Sequence, residues 1–287
     1  MIVASEIQQA ASAAADLRAA GTLALVPTMG NLHEGHLTLV RAARKNARSV
    51  AVSIFVNPLQ FNNPKDLETY PRTLDADLAK LEGEGVDLVF TPTAEIMYPE
   101  GMENHTSVFV PGLSDMLEGA LRPGHFRGVT TVVSKLFNIF RPDCAMFGLK
   151  DFQQVAVLKK MVRDMAIGVK IIEVPIVRDQ SGLALSSRNS LLSEEERRRA
   201  CLISREMNAI REEILSGNRD FAAVVSAARA RIDGNEGFRT DAIDIVDALT
   251  LKPVDEHTLR AAVLMAVYLG KVRLIDSVAF DLAPERC

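Results

Sequence analysis

Cysteine is scarce: three residues, Cys144, Cys201 and Cys287, stand far apart, odd in number and without any C-x-x-C spacing. That pattern excludes a disulfide framework and a zinc cluster of cysteines, and it reads as reduced thiols in a cytoplasmic protein. An excess of cations is also missing, since 33 Lys and Arg face 37 Asp and Glu for a formal net charge of −4. Extended nucleic-acid or anionic-membrane binding needs clustered positive charge, so neither is an expected partner, although one small phosphate ligand held locally is compatible with this balance. Long apolar runs are absent. The longest uncharged apolar stretch, Ala261 to Gly270, is about half the ~20 residues that a membrane helix requires. The N-terminus reaches Glu6 without a basic start and apolar core, so no secretory signal is expected. Internal repeats and low-complexity segments are lacking too. A length of 287 residues fits one large domain or two unequal ones, with a sizeable core.

What is present is an alternation of strand and helix patterns. Ser5 with Gln8 makes a capping-box start for a helix that runs to Ala20 and stops at Gly21. Leu23 to Val26 reads as a strand broken at Pro27. Glu34 to Ala47 carries Leu37, Val40 and Ala43 at helical spacing, and Val50 to Val56 is a β-rich run closed by Asn57-Pro58. A helix marked by Leu74, Leu78 and Leu81, a strand at Asp87 to Phe90, a helix at Val129 to Phe140, a strand at Cys144 to Phe147, a helix at Gln153 to Met165 and a strand at Lys170 to Val174 continue the series. Near-continuous apolar strands belong to a parallel sheet covered on both faces, which predicts a doubly wound α/β domain over residues 1–176. After Pro175 the character changes. Asp179 to Gly182 is a turn, Ser193-x-x-Glu196 opens a helix to about Ser216, and a second helix covers Phe221 to Ile232. Strands at Ala242 to Val246, Ala261 to Tyr268 and Val272 to Ile275 complete a smaller α+β domain, 177–287.

Doubly wound sheets bind ligands beyond the carboxyl ends of their strands, and three donor-rich segments fall there or at the domain junction. The first, Pro27-Thr28-Met29-Gly30-Asn31-Leu32-His33-Glu34-Gly35-His36, follows a strand and opens a helix, where free N–H groups and the dipole favour anions. Gly30 and Gly35 permit close approach, and His33 and His36, three apart, can turn both imidazoles to one side. Two histidines at a helix start can equally be loop-stabilising. A zinc site is a poor fit, because H-E-G-H is one residue short of H-E-x-x-H and lacks a third ligand nearby. A dinucleotide site lacks its G-x-G-x-x-G. The second segment, Gly148-Leu149-Lys150-Asp151-Phe152-Gln153-Gln154, offers a lysine and amides; the third, Leu185-Ser186-Ser187-Arg188-Asn189, offers two hydroxyls and a guanidinium. Each alone reads as ordinary surface or turn chemistry; together, in this order, they are much harder to explain as decoration.

The H-x-G-H pattern at the first helix, with a second donor loop in the place of K-M-S-K-S, resembles the nucleotidyltransferase superfamily that includes class I aminoacyl-tRNA synthetases. More closely, P-T-M-G-N-L-H-E-G-H, F-V-N-P-L-Q-F, Y-P-R-T, G-L-K-D-F-Q-Q and L-S-S-R-N resemble the pantothenate synthetase (pantoate–β-alanine ligase) family, with matches from Pro27 to Asn189. The resemblance implies a Rossmann-like N-terminal domain, a smaller C-terminal domain acting as a lid, a homodimer, and ATP with Mg²⁺. It implies an ATP-dependent ligase that joins pantoate to β-alanine through a pantoyl adenylate; the alternatives are a nucleotidyltransferase of the same superfamily acting on another small acid or phosphate, and a non-catalytic nucleotide sensor.

Carried over by position, the resemblance places Met29, Gly30, Asn31, Leu32, His33, Glu34, Gly35 and His36 along the ATP site, with His36 the foremost catalytic group and His33 beside it. Lys150 would hold phosphate, Gly148, Leu149 and Asp151 would face the nucleoside, the Val177 backbone would meet adenine, and Leu185, Ser186, Ser187 and Arg188 would close over the phosphates. Gln60 and Gln154 would orient pantoate, with Met29 and Phe61 against its gem-dimethyl group. Asp77 is the candidate for the Mg²⁺ region, with a plain helix-surface acid as the other reading. Leu149 and Phe152 depart from the acidic residue and tyrosine common in relatives, so no side-chain contact is carried over there.

Overall fold

The computed structural model describes residues 1–282, and Cys287 lies outside them. The chain divides into two compact units, one of residues 1–148 and 153–175, the other of residues 149–152 and the chain from Ile176 on. In the first unit the elements are β1 (Ile2–Ala4), α1 (Ile7–Ala20), β2 (Leu23–Thr28), α2 (Glu34–Asn46), β3 (Ser49–Ile54), α3 (Pro64–Glu68), α4 (Leu74–Gly83), β4 (Leu88–Phe90), α5 (Ala94–Met97), α6 (Glu118–Leu121), α7 (His125–Phe140), β5 (Cys144–Gly148), α8 (Phe152–Asp164) and β6 (Lys170–Val174). Six parallel strands lie in the order β1-β4-β3-β2-β5-β6. The chain therefore winds outward in one direction from β2 and in the other through β5, and the switch point falls between these two strands, where such sheets take their ligands.

Strand alternation divides the core into two layers. Leu23, Leu25, Ala51, Leu88, Phe90, Ala145 and Phe147 face Ala10 and Ala14 of α1, Phe137 and Phe140 of α7, and Leu158 and Met161 of α8. Their neighbours Ala24, Val26, Val50, Val52, Val89, Cys144 and Met146 face Leu39, Val40 and Ala43 of α2 and Leu81 of α4. Both faces are dry, which is why these strands carry almost no polar residue. Burial also pushes the Cys144 thiol above its ordinary pKa, so it is a core residue with little thiolate character.

Two local expectations change in this unit, and one strand is unanticipated. The edge strand β1 has no signal in so short a run. The first helix is capped one residue later than Ser5-Gln8 suggests, with the Gln9 side chain accepting from the Glu6 N–H. β2 does not break at Pro27 but continues through Thr28. Its even residues bond towards β3, as in the Phe55 N–H to Thr28 carbonyl bond, whereas its odd residues face β5, as in the Asp143 N–H to Leu23 carbonyl bond. Pairing with β5 ends at Leu25, so the N–H that Pro27 lacks falls where the ladder has already stopped.

In the second unit, α9 (Glu194–Arg199), α10 (Leu202–Leu215) and α11 (Phe221–Asp233) precede an antiparallel sheet of β7 (Phe238–Asp247), β8 (Arg260–Leu269) and β9 (Val272–Asp281) in the order β7-β8-β9. Ile203, Met207 and Ile210 of α10 and Ala228 of α11 pack on Ile243, Val263 and Met265 of that sheet. The expected single helix from Ser193 to Ser216 is two helices. At the break the Ile203 N–H bonds the Ala200 carbonyl, while Cys201 Sγ and Ser204 Oγ engage the carbonyls of Arg198 and Cys201. β7 extends past its apolar centre because its other face is polar: Arg239 stands opposite Tyr268 with its guanidinium 4.2 Å from the ring centroid.

Candidate active site

The loop leaving β2 is built by its own backbone and by α4. Thr28 Oγ1 donates to the Ser53 carbonyl at 2.8 Å and accepts from the Gly30 N–H at 3.3 Å. Gly30 (φ 82°) and Asn31 (φ 50°) are both left-handed, which reverses the chain within two residues. A Cβ on Gly30 would also sit 3.1 Å from Ile54 Cγ2 and 3.3 Å from Asp77 Oδ2, a tight fit added to the torsion that favours glycine. Asp77 is fully buried. Its Oδ2 accepts from the Asn31 N–H and its Oδ1 from the Leu32 N–H, both at 2.8 Å, and Thr73 Oγ1 adds a bond of 3.1 Å. One turn further along α4, Lys80 Nζ donates to the Leu32 carbonyl at 2.6 Å. Asp77 is thus a clamp on the loop, and its burial does not fit a plain helix-surface acid.

The start of α2 is a capping box made of two histidines. His33 Nδ1 accepts from the Gly35 N–H at 3.1 Å, and His36 Nδ1 accepts from the His33 N–H at 3.3 Å. A backbone N–H facing each Nδ1 requires a lone pair there, so hydrogen-bond geometry assigns both rings the Nε2–H tautomer. Their centroids are 4.1 Å apart. Each ring thus stabilises the helix through Nδ1 and carries its N–H on Nε2, so capping leaves a donor role compatible with the same geometry. Glu34, in the same turn, is exposed and ion-paired with Arg41, and bonds from Glu84 and Glu34 together raise the Arg41 pKa.

Gln60 ends a 3-10 turn (Pro58–Gln60) whose cap is Asn57, with Asn57 Oδ1 accepting from the Leu59 N–H at 3.3 Å. Asn57 Nδ2 donates to Gln60 Oε1 at 3.0 Å, which leaves Gln60 Nε2 against Met29 Sδ at 3.2 Å. Gln60 and Met29, separate in sequence, thus meet. The Gln60 carbonyl is held by Arg122 Nη2 (3.2 Å) and His125 Nδ1 (2.8 Å). A Cβ on Gly128 would fall 2.4 Å from the Leu59 carbonyl oxygen, so α7 packs directly on this turn. Phe61 meets Tyr70 edge to face at 5.7 Å. Of the paired glutamines, Gln153 is buried and bonds the Leu113 and Met116 carbonyls, whereas Gln154 is half-buried. At Gly148, the end of β5, an added Cβ would meet nothing.

The second unit holds the remaining candidates. Lys150 Nζ lies 3.2 Å from Asp151 Oδ2, and the Leu149 carbonyl before them accepts from Ser277 Oγ at 2.7 Å. Leu185 and Val177 are joined by a backbone bond of 2.9 Å. Ser186 Oγ accepts from the Arg188 N–H at 3.2 Å, shaping a 3-10 turn (Ser187–Leu191) on which Ser187 and Arg188 are half-buried. The neighbouring Arg178 is fixed bidentately by buried Asp276, at 2.6 and 2.9 Å, so adjacent β9 residues Asp276 and Ser277 hold Arg178 and the Leu149 carbonyl. Neither anchor is legible in the sequence. Asn57 is, as the polar residue before Pro58 in F-V-N-P, a capping signal.

Residues 2–279 match the family model described as pantoate–β-alanine ligase. A pantothenate synthetase of Aeromonas hydrophila subsp. hydrophila is 58% identical over 262 residues, 91% of this chain and 92% of that protein. Among solved structures, a pantothenate synthetase of Thermus thermophilus matches with a TM-score of 0.89 at 43% identity, covering 97% of this chain and 99% of the other. The pantoate–β-alanine ligase of Francisella tularensis, complexed with β-γ ATP and β-alanine, matches with a TM-score of 0.77 at 36% identity, covering 97% of each chain.

Proposed function

The chain belongs to the pantoate–β-alanine ligase family, and from that premise we propose that pantoate is first adenylated and then captured by β-alanine. The protein is an ATP-dependent ligase that condenses these two substrates. In the first step a pantoate carboxylate oxygen bonds to the α-phosphorus of ATP as the bond from that phosphorus to pyrophosphate breaks. In the second, the β-alanine amine attacks the acyl carbon, the carbon–oxygen bond to AMP breaks, and the nitrogen loses a proton. No covalent enzyme intermediate is required, so the chain's work is orientation and stabilisation of charge.

The observation that carries this reading is the reciprocal cap of His33 and His36. It puts the proton of each ring on Nε2, giving two N–H donors at the positive end of α2, matched to phosphate oxygens that gain charge as pyrophosphate leaves. We assign His36 and His33 to those oxygens and the Met29–His36 loop to the nucleotide. Lys150, Ser187 and Arg188 are assigned to phosphate charge, Gly148, Leu149 and Asp151 to the nucleoside, the Val177 backbone to adenine, and Leu185 and Ser186 to closure over the nucleotide. Gln60 and Gln154 are assigned to pantoate, with Met29 and Phe61 against its methyl groups. Asp77 has both oxygens on loop amides, and among the described residues no group of three or more His, Cys, Asp or Glu could hold a metal ion. Mg²⁺, which needs few protein ligands beside phosphate oxygens and water, is assigned to the substrate as the counter-ion that ATP carries. Among the described residues no helix is long and apolar enough to cross a membrane; a homodimer in the cytoplasm is proposed with the rest.

The test is AMP release with ATP, pantoate and β-alanine, omitting each in turn, alongside ATP–pyrophosphate exchange. Exchange that needs pantoate but not β-alanine, with AMP released only when all three are present, is the expected result. A stable adenylylated product that β-alanine does not consume would instead identify a transferase.

A further inference from the structure

We propose that Tyr98 is a positioning residue for pantoate, acting through Asn57 on the Gln60 amide; this rests on the assignment of Gln60 to pantoate above. Tyr98 follows α5 and is 41 residues from Asn57 in sequence, yet its hydroxyl lies 2.7 Å from Asn57 Oδ1. Both side chains are buried, at 3% and 1% exposure, so neither exchanges this partner for water.

The direction of each bond is determined. The Leu59 N–H requires an oxygen at Asn57 Oδ1, and the Gly128 carbonyl, 3.1 Å from Asn57 Nδ2, requires an amide nitrogen there. With the Asn57 flip fixed from both ends, the Tyr98 hydroxyl must donate. Burial raises its pKa well above that of an ordinary tyrosine, which keeps the proton in place. The second Asn57 N–H goes to Gln60 Oε1, turning the Gln60 amide so that its Nε2 emerges beside Met29. Gln60 is thus presented as a donor, the polarity that a carboxylate and hydroxyls require. Without the Tyr98 hydroxyl, Asn57 Oδ1 keeps only a bond of 3.3 Å beside the Nδ2 bond to the Gly128 carbonyl, so the amide that aims Gln60 is held less tightly.

The ring is held independently of the hydroxyl. Phe55 packs at 6.1 Å, His105 stands edge-on at 4.8 Å, and Lys135 Nζ lies 5.2 Å over the ring. Tyr98→Phe therefore leaves the packing and removes one donor.

The experiment is a double-mutant cycle on pantoate-dependent ATP–pyrophosphate exchange, with ATP and pantoate varied separately. Tyr98→Phe should raise the pantoate KM about tenfold, the ~1.4 kcal/mol of one decade, and leave the ATP KM unchanged. In the Gln60→Ala background the same substitution should add nothing, because its effect passes through Gln60. An equal rise for both substrates, no rise, or full additivity with Gln60→Ala would overturn the assignment. Should Tyr98→Phe not fold, Asn57→Asp, which cannot donate to Gln60, is expected to couple to Gln60→Ala in the same way. Wild-type protein that exchanges with ATP but is indifferent to pantoate would overturn the pantoate reading itself, and with it this one.

Discussion

His33 and His36 close each other's helix turn: Nδ1 of His33 accepts from the Gly35 N–H and Nδ1 of His36 from the His33 N–H, so both rings carry their proton on Nε2. Cap and donor can be separated by substitution. Asparagine is among the best N-cap residues, so His33→Asn should keep the helix start and lose only the Nε2–H. Its thermal midpoint should stay within ~2 °C of wild type, while pantoate-dependent exchange falls on the order of 10²-fold, as for loss of one preorganised donor. His36→Ala should lose at least as much. A His33→Asn enzyme that keeps more than about a third of its rate would confine His33 to capping, since so small a loss is below one kcal/mol of barrier.

Asp77 distinguishes a loop clamp from a metal ligand. In Asp77→Asn one of the two oxygens becomes an NH₂ group facing the N–H of Asn31 or Leu32 in a fully buried position. Such a mismatch costs about 1–3 kcal/mol. The loop that Gly30 and Asn31 turn would then be loosened at the nucleotide. We expect lower stability and a higher KM for ATP, with the Mg²⁺ concentration for half-maximal activity unchanged. Recovery of activity at raised Mg²⁺ would return Asp77 to the metal.

The histidine pair and Asp77 also mark how far the sequence can be read. The histidines, the strand before them and the helix behind them are local: the spacing of three residues and an apolar run contain them. The choice of Gln154 over its neighbour Gln153 rests on the family resemblance alone, although the structure supplies a reason for it, since Gln153 is occupied by the Leu113 and Met116 carbonyls. Asp77 meets the loop across 46 residues of chain, and Tyr98 meets Asn57 across 41. Nothing in either local pattern indicates such a partner. The same holds for Pro27, whose place in a central strand depends on where β5 stops pairing, and for the break before α10, which depends on side chains that compete for carbonyls.

In the second unit, Arg178 and Asp276 form a bidentate ion pair next to the Val177–Leu185 backbone bond. Both Asp276 oxygens are engaged, at 2.6 and 2.9 Å, and its side chain is 3% exposed. Asp276→Ala removes both bonds and leaves Arg178, itself 28% exposed, on the Gly182 carbonyl, a loss of about 1–3 kcal/mol. Asp276→Ala should therefore lower the urea midpoint of the wild-type protein strongly. Asp241→Ala, whose carboxylate is 22% exposed against 3% for Asp276, should do so less. Equal shifts would show that burial at Asp276 is not what gives its pair weight.

Asp179, which shapes the turn between Arg178 and Leu183, yields a pH prediction. Burial pushes its pKa up, but bonds from Ser181 Oγ (2.5 Å), Ser181 N–H (2.9 Å) and Leu183 N–H (3.2 Å), with Arg197 nearby, outweigh it and hold the carboxyl below the usual 3.8. A group with a depressed folded pKa binds fewer protons folded than unfolded, so its stabilisation is complete above the unfolded value and is lost as pH falls through the folded one. Asp179→Asn removes the charge at every pH. The thermal midpoint of the wild type should exceed that of the variant by a constant margin above about pH 5, and the margin should shrink as the pH is taken lower. A margin that instead widens towards acid would mean that the folded state binds the extra proton, and that burial rather than the turn's donors governs this carboxyl.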